Sequence, residues 1–485
     1  MKYLKRTLYL IISILIVLFV ISFVAIKIEN NQLSYLKIKN QSSLSSNSYV
    51  IKDVNLIPMT TDTVLMNRNI RIVDGIIKNI DEKIIDNNEN IIDGKGMYIS
   101  PGLIDMHVHV WDRFELGLYL ANGVTTVRNL LGIPFHLDIK NEINNNELIG
   151  PLFYTASPPF SGIEDEDILK KPIESPEEAK RLIVKYKSQG YDYIKTYNLL
   201  HKDVFDAVLK QSLDSKMPVI AHPSFKVNYE YHFNPLISTI EHTEDIYQQP
   251  LNYTFDRDKL KSIIKGYAES NQTHCPTLTV FYNLTEIYNK GEDVLTTEDS
   301  KYINPFIKSA SDDYSKHMAI RANDSSSTER INDQHNFHIE IIEKLHKAKV
   351  NIVCGTDAGI LNTPAGFSIH KELSFYQQAG MSNYEALKTA TINPTKVYEE
   401  YQKFGTIENE KFANLILSIK NPLSDLSTLK DPELVMIKGR VIDKQLMEEF
   451  KQKAYERNNY IASLTRIVKY VLWEKCRVGK GESHP

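Results

Sequence analysis

The sequence predicts an α/β protein in which strands of a parallel sheet alternate with helices. Short apolar runs recur along the chain, and most are separated by enough residues to form a helix. Several of these runs end in a polar side chain that is common in catalytic sites. When eight strand–helix units close into a barrel, the carboxyl ends of the strands meet on one face. We therefore expect a (β/α)8 barrel. The polar-ended runs are ISPGLIDMHVH, DYIKTY, PVIAH, STIEH and NIVCGTD.

The individual barrel strands can be placed from the apolar runs, with helices between them. One helix has a clear start, because Ser175 is followed by Pro176 and Glu178. A polar stretch between Phe281 and Asn332 follows the seventh strand, and it fits a solvated loop or a lid equally well. The strands are expected near Ile104–Val110, Thr125–Leu130, Leu152–Ala156, Asp192–Tyr197, Val219–His222, Ile237–His242, Thr277–Phe281 and Asn351–Gly355.

Two histidines one residue apart, His107 and His109, form the most informative motif. Residues i and i+2 of a strand point to the same side, so both imidazoles can reach one metal ion. Imidazole suits zinc and its neighbours. Ordinary hydrogen bonds explain such a pair more often than a metal does. The later strand ends, which carry Lys195, His222, His242 and Asp357 in that order, favour the metal site.

This ordered set of polar strand ends resembles the amidohydrolase superfamily, in particular its prolidase-like and imidazolonepropionase-like hydrolases. The resemblance extends from about Val50 to about Asp443, and it includes the segments GVTTVRN (123–129), HKELSFYQQAGMSNYEALKTATINP (370–394) and FGTIENEKFANLILSIKNPLSDL (404–426). It implies a TIM-like barrel beside a small β-sandwich that both ends of the chain form. We therefore predict a composite β-sandwich domain over 50–98 and 403–443, and the hydrolase barrel over 99–402.

The resemblance also implies a site for two divalent metal ions, with Zn²⁺ as the default. Lys195 would be carboxylated, and its carbamate would bridge the ions. Burial lowers the pKa of a lysine, which makes the neutral amine available for that reaction. Asp357 would also be the catalytic base. One ion would be held by His107, His109 and Asp357, and the other by His222 and His242.

The function that follows is hydrolysis of a C–N bond, amide or peptide-like, by a hydroxide that bridges the two metals. Candidate substrates are small amides and dipeptides of the Xaa-Pro or Xaa-Arg/Lys type. Arg128, Tyr197 and Tyr231 are candidate substrate-binding residues near strand ends, although packing or a structural hydrogen bond explains each of them as well.

Two other functions stay open. A mononuclear cyclic amidohydrolase of the imidazolonepropionase or deaminase type would lack a bridging lysine, so Lys195 argues against it. A non-catalytic envelope-binding protein on a hydrolase scaffold would be favoured by the loss of a metal ligand, and the set is complete.

The overall composition excludes some partners. The chain has 485 residues and a net charge of −4, from 57 Lys and Arg against 61 Asp and Glu, which argues against nucleic acid as the main partner. Three cysteines are too few, and odd in number, for a disulfide framework. A homo-oligomer is left open.

The chain begins with basic residues and an uncharged run from Thr7 to Ile26, long enough to cross a bilayer. We predict a single-pass anchor over 1–28 with the catalytic part outside the cytoplasm, and a cleaved signal with secretion as the alternative. Residues 29–49 are predicted to be a flexible linker. Residues 444–485 are predicted to be an amphipathic helical tail that packs on the barrel or rests on a membrane, with a disordered end.

Overall fold

The structure is a computed structural model that describes residues 2–84, 89–321 and 325–477. It opens with one long helix, α1 (Lys2–Gln32), which is followed by short 3-10 turns over residues 33–44. Five strands come next: β1 (Tyr49–Leu56), β2 (Leu65–Val73), β3 (Ile76–Asp81), β4 (Asn90–Asp93) and β5 (Tyr98–Pro101).

The central part of the chain alternates strands and helices, as predicted. Its elements are β6 (Leu103–Val108), α2 (Phe114–Ala121), β7 (Val124–Asn129), α3 (Pro134–Asn144), β8 (Leu152–Thr155), β9 (Phe160–Ser161), β10 (Lys171–Pro172), α4 (Pro176–Gln189), β11 (Ile194–Thr196), α5 (Lys202–Asp214), β12 (Val219–Ala221), β13 (Ile237–Glu241), α6 (Thr243–Gln248), α7 (Arg257–Ser270), β14 (Thr273–Cys275), α8 (Leu278–Lys290), α9 (Pro305–Arg321), α10 (Ser325–Lys347), β15 (Asn351–Ile352), α11 (Ser368–Gln378) and α12 (Asn383–Thr389).

The last part of the described chain returns to short strands and then to helices. These elements are β16 (Leu415–Ser418), β17 (Leu434–Ile437), β18 (Arg440–Asp443), α13 (Lys444–Tyr455) and α14 (Tyr460–Arg477).

The strands of the central part are all parallel and form two sheets. One has the order β6-β7-β8, and the other has the order β10-β9-β11-β12-β13-β14-β15. Isolated parallel bridges join Ala156 to Tyr193 and Val108 to Ala358, next to the ends of the two sheets. The parallel arrangement places the carboxyl ends of the strands, with their polar residues, on one side.

The strands before and after the central part form one sheet of eight strands. Its order is β18-β17-β16-β5-β1-β2-β3, and β4 also pairs with β1. The antiparallel pairing of β5 with β16 joins the amino-terminal strands to the carboxyl-terminal ones. A separate apolar cluster, which includes Ile51, Ile70 and Leu415, packs on this sheet.

The predicted seventh strand was wrong by a few residues, and the insertion after it is helical. The strand is β14, which ends at Cys275; Pro276 follows, and Thr277 has a positive φ of 53° at the point where α8 starts. The polar stretch after Phe281 forms α8, α9 and α10 with two 3-10 segments in place of a loop, apart from residues 322–324, which lie outside the described residues.

The predicted flexible linker is instead packed against the barrel. Leu33, Tyr35, Leu36 and Leu44 are buried, and the ring of Tyr35 contacts Phe114 and Phe450. The polar composition of residues 29–49 suggested a tether, but these few large apolar side chains join the main core.

The tail forms two helices, α13 and α14. Helix α13 packs on α2, where Gly117 leaves room for the ring of Phe450. The predicted disordered end falls on residues 478–485, which lie outside the described residues. Helix α1 is long and apolar enough to cross a membrane, and a signal sequence would meet the same criterion.

Candidate metal centre

The six predicted ligands lie at the carboxyl ends of five parallel strands or just beyond them. His107 lies in β6 and His109 directly after it, and Lys195 lies in β11. His222, His242 and Asp357 follow β12, β13 and β15. These strands are short and almost wholly buried. Packing of their apolar residues fixes the backbone, so the polar residue that follows each strand lies at the carboxyl end of the sheet.

Three of these residues meet around one point. His109 Nε2 lies 2.8 Å from Asp357 Oδ1, and His107 Nε2 lies 3.4 Å from the same oxygen. One ligand atom from each of the three residues falls within 4.8 Å of the others. This is the set that the sequence assigns to the first ion.

The other two histidines continue the same cluster. The ring of His242 lies 4.8 Å from that of His107, and the ring of His222 lies 4.7 Å from that of His242, measured between centroids. His242 and Asp357 have positive φ values of 66° and 58°, which are unusual for residues other than glycine. Such backbone conformations collect at functional sites, where the surrounding structure holds them in place.

Lys195 is buried beside these rings with its amine unpaired. Its side chain is 1% exposed, and Nζ has no hydrogen-bond acceptor among the described residues. Burial lowers the pKa of the amine, with Arg128 acting in the same direction and Glu241 and Asp357 against it, so that the pKa is about 8. A neutral amine is therefore accessible near physiological pH, which suits carboxylation.

The protonation states of the other side chains also suit a cation. Burial lowers the pKa of His107 to about 4, and it lowers the pKa values of His222 and His242 well below the usual value for histidine. A neutral imidazole is the form that binds metals. Burial acts to raise the pKa of Asp357, but His107 and His109 outweigh it and hold that carboxyl ionised. The donor set thus fits divalent ions of the zinc type.

A buried carboxylate that sequence reasoning missed supports His107 from behind. Glu241 Oε2 lies 2.6 Å from His107 Nδ1, and Arg128 Nη2 donates to both oxygens of Glu241 at 3.0 and 3.2 Å. Burial acts to raise the pKa of Glu241, but Arg128 and His107 together keep it well below its usual range. An ionised carboxylate only accepts, so Nδ1 of His107 carries the proton and Nε2 is left for a metal. Its position beside His242 in STIEH was the available signal.

His242 and His222 have polar neighbours too. Thr277 Oγ1 lies 2.9 Å from His242 Nδ1. His222 Nε2 lies 3.5 Å from Asp245 Oδ2, a buried carboxyl whose pKa burial raises well above its usual range. Tyr197 stacks on His222 with a centroid distance of 4.1 Å, which places this predicted substrate residue at the edge of the cluster.

The other two predicted substrate residues have different roles. Arg128 is fully buried, and it also donates to Met106 O, Thr239 Oγ1 and Tyr398 Oη, so its guanidinium is not available to a ligand. Tyr231 donates to Asp206 of α5 at 2.5 Å, away from the contacts of the histidine cluster. Both contacts match the alternative interpretation of these residues, which is a structural hydrogen bond.

Comparisons with known proteins agree with this fold. Residues 306–442 match the model of the Amidohydrolase family. A dihydroorotase of Bacillus pumilus (strain SAFR-032) is 38% identical over 63 residues, which are 13% of this chain and 14% of that enzyme. The match therefore spans only a small part of this curated relative.

Solved structures match over most of the chain at low identity. A bottromycin amidohydrolase has a TM-score of 0.71 and 20% identity, with 86% of this chain and 92% of that chain covered. An Xaa-Pro dipeptidase with bound methionine has a TM-score of 0.64 and 20% identity, with 82% and 100% covered. These likenesses give a TIM-barrel-like fold. The resemblance to the amidohydrolase superfamily is thus confirmed, since the family model matches 306–442 and prolidase-like and amidohydrolase enzymes share the fold.

Proposed function

We propose that this protein is a metal-dependent hydrolase of a C–N bond, with a binuclear centre held by His107, His109, Lys195, His222, His242 and Asp357. The observation that carries the proposal is Lys195, a buried and unpaired amine surrounded by histidines and Asp357. Carboxylation would convert this amine into the anionic ligand that two cations need between them. Two bound ions would polarise the scissile carbonyl and activate water at neutral pH.

The residues of the chain have separable tasks in this reaction. Asp357 is held ionised beside His109, so Oδ1 can accept a proton from the nucleophilic water and pass it to the leaving amine nitrogen. Glu241 keeps the Nε2 face of His107 free for its ligand role. The ring of Tyr197 forms one wall next to His222.

For the substrate, we propose small amides or dipeptides, with the Xaa-Pro type first and the Xaa-Arg/Lys type second. The likeness of the fold to that of an Xaa-Pro dipeptidase supports this order. A mononuclear cyclic amidohydrolase is the second candidate. It is favoured if the protein binds only the one ion that His107, His109 and Asp357, grouped within 4.8 Å, would hold.

We also propose that α1 anchors the protein in a membrane as a single span, with the catalytic part outside the cytoplasm. All side chains from Thr7 to Val20 are exposed in the structure, and all of them are uncharged. A bilayer would cover these surfaces.

A hydrolysis screen tests the catalytic proposal. The full chain, purified in detergent, is loaded with Zn²⁺ and bicarbonate and assayed on Xaa-Pro, Xaa-Arg and N-acyl amino acid libraries, with Asp357→Asn as the control. Turnover that the control loses, by about 10²–10⁴-fold, supports the proposal. Less than one bound metal per chain, or equal turnover in the control, contradicts it.

A further inference from the structure

The carboxyl-terminal helix α14 packs beside α1 and is tied to it by polar contacts. Arg466 forms an ion pair with Glu29, and Asn459 Nδ2 donates to Glu29 Oε1 at 2.9 Å. The covered positions in the second half of α1 are Ser22, Ala25, Ile26, Glu29 and Gln32. Their spacing of three or four residues defines one face of a helix. That face starts inside the apolar run, which ends at Ile26, so the contact reaches into the segment proposed to enter the bilayer.

The end of α14 lies at the level of this apolar run. A cavity of about 850 Å³ between α1, α3 and α14 is lined by both Ile26 and Trp473. Arg466 reaches Glu29, and Trp473 lies seven residues further along α14, which is about 10 Å of helix. The two helices therefore run in opposite directions, and α14 approaches the membrane as α1 leaves it.

The exposed side chains between Val468 and Trp473 are apolar, apart from Lys469. Val468 and Leu472 are exposed and lie four residues apart on one face, and Trp473 beside them is 41% exposed. Tryptophan is the residue most suited to the boundary between headgroups and acyl chains. Lys37 and Lys39 line the same cavity, and no acidic partner for their ammonium groups occurs within 2–84, 89–321 and 325–477. They supply positive charge shortly after the end of α1, in a cavity that Glu29, Asp138, Glu142 and Glu147 also line.

We propose that the end of α14, from Val468 to Trp473, is a second membrane-contacting element that lies in the interface of the bilayer entered by α1. The proposal rests on the membrane anchor proposed above. A single helix leaves an attached barrel free to tilt, whereas contact through α14 fixes one side of the barrel against the membrane. The occupant of this surface is thus phospholipid, with its phosphate near Lys37 and Lys39.

The chain offers a direct test, because it has only two tryptophans. Trp111 is buried, at 8% exposed, and it lies after β6 in the barrel. The full-length protein is reconstituted into phosphatidylcholine vesicles with brominated or ordinary acyl chains, and tryptophan emission is compared between wild type and Trp473→Phe. The difference spectrum isolates Trp473 without altering Trp111.

We expect the Trp473 emission to be blue-shifted and to be lost in brominated vesicles, with the Trp111 emission unchanged. Val468→Asn combined with Leu472→Asn should restore the Trp473 emission. Leu213→Asn, which alters another exposed leucine on α5, is the matched control and should not. Adding anionic phospholipid should strengthen the quenching in low salt, and Lys37→Gln with Lys39→Gln should remove that increment.

Three results would overturn the proposal. If brominated lipid does not quench Trp473 but the protein stays in the vesicles after an alkaline wash, the proposed contact is wrong and the anchor is retained. If the protein leaves the vesicles in the wash, both the contact through α14 and the anchor through α1 are wrong. A blue-shifted Trp473 without quenching would mean that a second copy of the chain covers this surface. None of these readouts depends on turnover, so they are independent of the hydrolase proposal.

Discussion

Two buried basic side chains, Arg128 and Lys195, differ in their hydrogen bonds. Arg128 in β7 donates to a carbonyl, two hydroxyls and both oxygens of Glu241, whereas the amine of Lys195 in β11 has no acceptor. Burial acts to lower the pKa of both groups, yet Tyr398 and Glu241 raise that of Arg128, while the pKa of Lys195 falls to about 8. A satisfied buried charge supports the fold, and an unsatisfied one is available for chemistry.

The largest expected effect is the loss of activity when Lys195 is removed. Lys195→Met keeps the length of the side chain but cannot form a carbamate, so we expect turnover at the background level and at most one bound metal per chain. Metal analysis and turnover on a substrate found in the screen measure this. Arg181→Met, on helix α4 near the surface, is the control for charge loss. Two bound metals with normal turnover in the Lys195 variant would refute the proposed role.

The stability of the metal-free protein should depend on pH through Lys195. The pKa of Lys195 is about 8 in the folded chain and near 10.5 when unfolded, so the unfolded state binds more protons between these values. Unfolding free energy should therefore rise as the pH increases from 8 to 10.5, and the Lys195→Met variant should lack this contribution. Denaturant unfolding of chelator-treated protein at several pH values checks the sign.

Arg128→Met should instead destabilise the protein strongly. It leaves Glu241 buried and ionised without its main partner, which costs about 3–5 kcal/mol for a buried pair. Thermal and denaturant unfolding measure the loss. Combining it with Glu241→Gln removes the orphaned charge, so the double variant should be more stable than the sum of the single effects. Additive effects would mean that the pair is not coupled.

The sequence indicated which side chains the structure brings together better than it indicated which residues support them. The structure brings together His107, His109, Lys195, His222, His242 and Asp357, because each lies at or after the end of a short apolar strand and parallel strands place these ends on one side. The role of Glu241 was not predicted, because it depends on contacts with His107 and Arg128, which lie far from it in sequence. The packing of residues 29–49 was not predicted either. Composition describes the average of a segment, whereas a few apolar side chains such as Tyr35 decide whether it is buried.

A smaller effect is expected at Glu241 itself. Glu241→Gln keeps the shape but loses the charge that orients His107, and such a partner is typically worth about 10–100-fold in metal affinity. Competition with a chelator of known affinity measures the change. Glu372→Gln is the matched control, since Glu372 is equally buried but accepts from Leu278 N, Thr279 and Tyr376. Equal losses of metal affinity in both variants would point to a general loss of stability.

The smallest effect should separate the two tyrosines predicted to bind substrate. Tyr197 stacks on His222, whereas Tyr231 packs on Phe205 and donates to Asp206 of α5. An aromatic stack is worth about 0.5–1.5 kcal/mol, so Tyr197→Leu should lower kcat/KM by about two- to tenfold. Tyr197→Phe, which keeps the ring, should retain most of the activity. Tyr231→Leu should lower the melting temperature and leave kcat/KM unchanged. A Tyr231 variant with the larger kinetic loss would place the substrate on the α5 side of His222 and would make the second tyrosine, not the first, part of the binding wall.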